Sequence, residues 1–165
     1  MRVGIGSVGE YSSVVLAALK NDRSTSTVPR ILLVDDEQEF LRTVTLQLED
    51  EFEIVGTSTN GAGAVALAAK LSPDVVLLDI SMPTTNGIEV ALCLSQRSCR
   101  AKVVFLTAHD DPDFVQAALH AGAAGYVLKP RLVTDLIPAI RVALSGDVFI
   151  SAPLREAERQ PHASA

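Results

Sequence analysis

Residues 74–90 read DVVLLDISMPTTNGIEV. Asp74 to Asp79 is a short apolar run that ends in a carboxylate. A loop carrying Met82-Pro83 and Gly87 follows, and Ile88 to Gln96 continues as a helix. An apolar run without polar alternation fits a strand covered on both faces, as in a parallel sheet sandwiched by helices. The same unit recurs on either side of this stretch. Strands are predicted at Ile31 to Asp35, Glu53 to Thr57, Lys102 to Thr107 and Gly125 to Leu128. Helices are predicted at Ala62 to Leu71 and at Pro112 to His120, the second opened by Asp110, Asp111 and Pro112. Phe40, Leu41, Val44 and Leu48 recur at helical spacing, as do Val133, Leu136, Ile137, Ile140 and Leu144. Five strands alternate with five helices, which is the pattern of a doubly wound α/β sheet with helices on both faces.

The chain has 165 residues, enough for one ordinary domain with ends. Residues 1–29 are an N-terminal extension and linker, 30–151 the repeating domain, and 152–165 a flexible polar tail. With 48% hydrophobic and 21% charged residues, disorder and fibrous classes are excluded. The net charge of −6 opposes the basic face that phosphate-backbone binding needs. The apolar run Val14 to Leu19 is too short to span a bilayer, so neither a membrane span nor export is expected. Cys93 and Cys99 fit no metal or disulfide spacing, and reduced thiols in a cytoplasmic protein are expected.

In an open parallel sheet, ligands bind beyond the carboxyl ends of the strands. Those ends are polar here: Asp35 and Asp36 after the first strand, Asp79 after the third, Thr107 after the fourth, Lys129 and Pro130 after the fifth. Neighbouring strands about 4.8 Å apart bring these groups into one pocket. Two carboxylates about 4 Å apart repel by about 4 kcal/mol at an effective dielectric near 20, more than one lysine offsets when a third acid is present. A divalent cation meets this need, and Mg²⁺ suits carboxylates, a carbonyl and retained waters. A carboxylate beside such a cation is placed to attack a phosphoryl group.

Together, Asp35-Asp36, Asp79, Thr107 and Lys129-Pro130, with DISMPTTNGIEV and AGAAGYVLKP, resemble a response-regulator receiver domain of two-component signalling, NarL/FixJ-like, over about Arg30 to Ser151. The resemblance implies a flavodoxin-like five-stranded sheet of order 2-1-3-4-5. It implies that Asp79 accepts phosphate from a sensor histidine kinase or phosphotransfer protein, with Mg²⁺ held by Asp36, by Asp35 through water, by Asp79, and by the main-chain carbonyl of Ser81. Thr107 and Lys129 would bind the phosphoryl group, Thr107 and Tyr126 would form the switch, and the Lys129-Pro130 bond would be cis. Such a protein is no enzyme in the turnover sense, catalysing only its own phosphorylation and dephosphorylation. Its output would pass to a downstream protein partner or a homodimer. The chain ends at Ala165 without a helix-turn-helix, so a receiver without a DNA-binding output domain, with no direct DNA or membrane contact, is expected.

Singly, these residues have plainer readings. Asp35 or Asp110 alone is a turn or cap residue, and Tyr126 alone is a core aromatic. His109 and His120 read as solvated side chains without ligand spacing. Two other functions compete: a receiver-like adaptor that works without phosphorylation, and a dinucleotide-binding unit through Gly4, Gly6 and Gly9 followed by a helix at Tyr11 to Lys20. The glycine motif lacks room for its leading strand, since only Met1 to Val3 precede it.

Overall fold

The computed structural model describes residues 28–152 and 154. Gly4, Gly6, Gly9 and the helix expected at Tyr11 to Lys20 lie outside the described residues. Among the described residues six parallel strands form one sheet: β1 (Arg30–Val34), β2 (Glu53–Ser58), β3 (Val75–Leu78), β4 (Lys102–Thr107), β5 (Gly125–Leu128) and β6 (Phe149–Ile150). Their order is β2-β1-β3-β4-β5-β6. Five helices connect them: α1 (Gln38–Leu48), α2 (Gly61–Leu71), α3 (Gly87–Gln96), α4 (Pro112–His120) and α5 (Leu132–Ser145). The expected order 2-1-3-4-5 is therefore present, extended by a short sixth strand.

Period-two alternation sorts the strand residues between two cores. Leu32 and Val34 join Ala64, Val90 and Val115 under α2, α3 and α4, whereas Ile31 and Leu33 join Leu41, Val44 and Ile140 under α1 and α5. All four residues of β3 are buried, which is why this strand reads as a continuous apolar run. Helix starts are locally encoded. Asn60 accepts from Gly63 N at 2.8 Å, Asn86 from Ile88 N at 2.9 Å, and Asp111 from Asp113 N at 2.8 Å. Asp111 is thus the cap of α4, with Pro112 in its first turn. The register of β1 against β2 shifts between Ile31 and Leu32.

Three expectations need correction. No cis peptide bond occurs among the described residues, so Lys129-Pro130 is trans. Pro130 lies in the opening turn of a 3₁₀ helix (Lys129–Arg131), where its fixed φ and missing N–H are tolerated. β6 was not expected, because two residues carry no periodicity. It pairs with β5 through Gly125↔Phe149 and Tyr126↔Ile150. Within the stretch read as a tail, Leu154 is buried in the same core cluster as Phe105 and Tyr126, and its N–H donates to Ser151 O at 3.0 Å. An isolated leucine in a polar segment has no pattern to announce that burial. Among the described residues, no helix is long and apolar enough to cross a membrane.

Candidate functional site

β1 lies between β2 and β3, so the chain leaves it in one direction and returns on its other side. Crevices form at such a reversal, beyond the strand ends. Asp35 follows β1 directly and Asp79 follows β3. The Asp35 N–H donates to Ser58 O at 3.1 Å and the Asp79 N–H to Val34 O at 3.0 Å, which anchors both acids to neighbouring strands. Both side chains are buried, whereas Asp36 is exposed. One carboxylate oxygen from each of Asp35, Asp36 and Asp79 lies within 4.8 Å of the others.

Lys129 reaches this cluster from the end of β5. Its Nζ lies 2.7 Å from Asp35 Oδ2 and 3.4 Å from Asp79 Oδ2. The Phe40 ring from α1 lies under the same ammonium, 4.2 Å from Nζ to the centroid. Burial pushes the Asp79 carboxyl above the usual range, and the charge of Asp35 adds to this. The Lys129 ammonium and the Ser81 N–H pull the other way without cancelling it. Burial works against the Lys129 charge, but the Asp35 bond and both carboxylates hold its pKa above the ordinary value. Three acids against one ammonium leave an uncompensated negative site, and the hard oxygen donors match a small divalent cation.

The loop after Asp79 folds back on itself. The Gly87 N–H donates to Ile80 O at 2.7 Å, and Ser81 forms an isolated antiparallel bridge with Asn86. A Cβ on residue 87 would lie 2.0 Å from the Asp79 carbonyl oxygen, so only glycine permits this approach. Asp36, Ser81, Asn86 and Glu89 help to line an open depression of about 590 Å³ beside the acids.

Thr107, fully buried at the end of β4, accepts from His109 N at 3.3 Å. The Tyr126 ring is fully buried against Phe105, with centroids 6.4 Å apart, and its hydroxyl donates to His109 O at 2.8 Å. Burial, then the nearby Asp110, Asp111 and Asp79, push the Tyr126 phenol well above its ordinary value.

The structure thus brings Asp35, Asp36, Asp79 and Lys129 into contact range, and ties Thr107 and Tyr126 to one shared residue, His109. His109 is where the reading of a solvated side chain fails. Its ring pairs with Ser81 Oγ and stacks on Phe114 at 4.2 Å. Phe40 is a neighbour that sequence reasoning missed. Its helical spacing marked it as core, and nothing local shows that the Lys129 head comes to rest on its ring.

A family profile described as the response regulator receiver domain matches residues 31–141. The transcriptional regulatory protein DegU of Brevibacillus brevis is 39% identical over 132 residues, covering 79% of this chain and 56% of that protein. The nitrate/nitrite response regulator protein NarL of Escherichia coli is 34% identical over 129 residues, covering 76% of this chain and 60% of that protein. The match therefore spans less than two thirds of these relatives. Among solved structures, a LuxR-family two-component response regulator from an Aurantimonas species aligns with a TM-score of 0.76 at 29% identity, over 80% of this chain and 97% of that one. The signal receiver domain of a NarL response regulator from Mycobacterium tuberculosis aligns with a TM-score of 0.69 at 33% identity, over 72% and 98% of the two chains.

Proposed function

Because the chain belongs to the response regulator receiver family, we propose that it is a phospho-acceptor switch in which Asp79 takes a phosphoryl group from a histidine kinase or phosphotransfer protein. The observation that carries this reading is the placement of the Lys129 ammonium between Asp35 and Asp79, beside the exposed Asp36. Asp35, Asp36 and Asp79, with the Ser81 main-chain carbonyl, would hold Mg²⁺, which when bound offsets the charge of the phosphoryl oxygens. Asp79 supplies the nucleophilic oxygen: its O–P bond forms as the P–N bond to the donor imidazole breaks, and that imidazole keeps the electron pair. Lys129 stays within reach of the acceptor and pairs with an oxygen of the new group.

The switch follows from the two bonds to His109. The Thr107 hydroxyl exchanges its contact with His109 N for a phosphoryl oxygen, and Tyr126 releases the His109 carbonyl. This remodels the surface formed by α4, β5 and α5. Taking a two-state equilibrium from 1:99 to 99:1 needs about 5.5 kcal/mol, within reach of a few charge-assisted hydrogen bonds. In this reading the protein works in the cytoplasm, catalyses only its own phosphorylation and dephosphorylation, and signals through a protein partner or a second copy. The chain's net charge of −6 disfavours its direct contact with DNA.

Intact mass after incubation with acetyl phosphate or phosphoramidate tests the reading. A gain of one phosphoryl group that requires Mg²⁺ and vanishes in Asp79→Asn is expected. No gain in the parent would leave the receiver-like adaptor that works without phosphorylation.

A further inference from the structure

Lys129 is aimed by the turn that carries it, and that turn is anchored from the side away from the pocket. Lys129, Pro130 and Arg131 make a 3₁₀ turn between β5 and α5 with no side-chain cap at its N-cap residue, Leu128. Behind it Asp135, in the first turn of α5, is only 6% exposed. Asp135 accepts from Arg131 at 2.8 and 3.2 Å, from the Thr134 hydroxyl at 2.8 Å and from the Ser151 hydroxyl at 2.8 Å.

Ser151, immediately after β6, is fully buried, and its Oγ also accepts from Leu128 N at 3.2 Å. One hydroxyl therefore joins the last residue of β5 to the first turn of α5, with the Lys129 turn between these two points. The Ser151 N–H donates to Tyr126 O at 3.0 Å, so the same residue also holds the strand that carries the switch aromatic. A fully satisfied buried network of this kind fixes a single geometry, whereas a partly satisfied one does not.

We propose that Ser151, acting with Asp135, is a positioning residue for Lys129, and that it ties the chain beyond β6 to the phosphorylation pocket. This rests on Asp79 being the acceptor. Ser151 touches neither donor nor acceptor and acts only through the backbone at Leu128. The coupling runs both ways: displacing the segment after Ser151 loosens Lys129, and drawing Lys129 toward a phosphoryl group loads Ser151.

The test measures the rate at which Asp79 is phosphorylated by acetyl phosphate at saturating Mg²⁺, by intact mass, and separately the Mg²⁺ affinity, by calorimetric titration. Parent, Ser151→Ala and Arg141→Ala are compared, the last breaking the exposed Arg141–Glu51 pair far from the turn. Ser151→Ala should react about tenfold more slowly, as a small misplacement of a catalytic group allows. Its Mg²⁺ affinity should not fall, because Lys129 is no metal ligand and its ammonium competes with the ion for Asp35 and Asp79, and Arg141→Ala should match the parent in both. If Ser151→Ala reacts at the parent rate, or loses rate and Mg²⁺ affinity in step as a damaged fold would, the positioning role is overturned. A parent that takes up no phosphoryl group at all would remove the acceptor reading itself, and this role with it.

Discussion

Burial, and the charge of Asp35 beside it, disfavour the charged form of Asp79 and raise its pKa. Replacing it with asparagine removes one of the clustered negative charges, while Lys129 keeps its 2.7 Å partner Asp35. Asp79→Asn should therefore stabilise the metal-free protein by about 1 kcal/mol, or about 4 °C in melting temperature, read by calorimetry at pH 7 in chelator. A lower melting temperature would mean that the Lys129 contact outweighs the repulsion. At this scale Asp35, Asp36, Asp79, Thr107 and Lys129 were legible in the sequence, because each stands where an apolar run stops. The contacts of His109 and Phe40 were not. Their roles arise where segments distant in the chain meet, Ser81 with His109 and Lys129 with Phe40, and neither meeting leaves a local pattern.

Among the elements, α5 carries the clearest pH signature. Burial works against the Asp135 charge, but the bonds from Arg131, Ser151 and Thr134 outweigh it and hold the carboxyl below its usual range. A carboxylate with a depressed folded pKa contributes stability at neutral pH that is lost as pH falls through that value. Asp135→Asn should cost about 2 kcal/mol at pH 7, the size of lost hydrogen bonds to a charged group. The gap to the parent should begin to narrow below about pH 4, where the unfolded chain takes up its proton first, and close once pH falls below the depressed folded value. Urea melts at several pH values read this directly, and a gap independent of pH would assign the cost to packing alone. The five longer strands and all five helices were legible because strands covered on both faces read as short apolar runs, whereas the helices repeat their apolar residues at a period of 3.6. β6 was not, since Phe149 and Ile150 make a strand only because the edge of β5 stands open beside them.

For the whole molecule, the acid cluster makes the fold sensitive to its ionic surroundings. A cation that binds only the folded state stabilises it by mass action, by about 2.7 kcal/mol at one hundred times its dissociation constant. Mg²⁺ should raise the melting temperature of the parent and raise that of Asp79→Asn less. Equal shifts in both proteins would place the ion elsewhere. The sheet order was legible as a whole because alternating strands and helices admit few windings, and right-handed crossovers reduce them further. How the sheet ends was not legible. An apolar parallel sheet with open rims is a template on which a second chain can add strands. Here one rim is closed by the two residues of β6 and the other by β2, which is offset by its register shift and bears the Arg30–Glu53 ion pair. Among the described residues neither rim offers a long, flat ladder, so the sheet's own backbone gives a second chain little to extend.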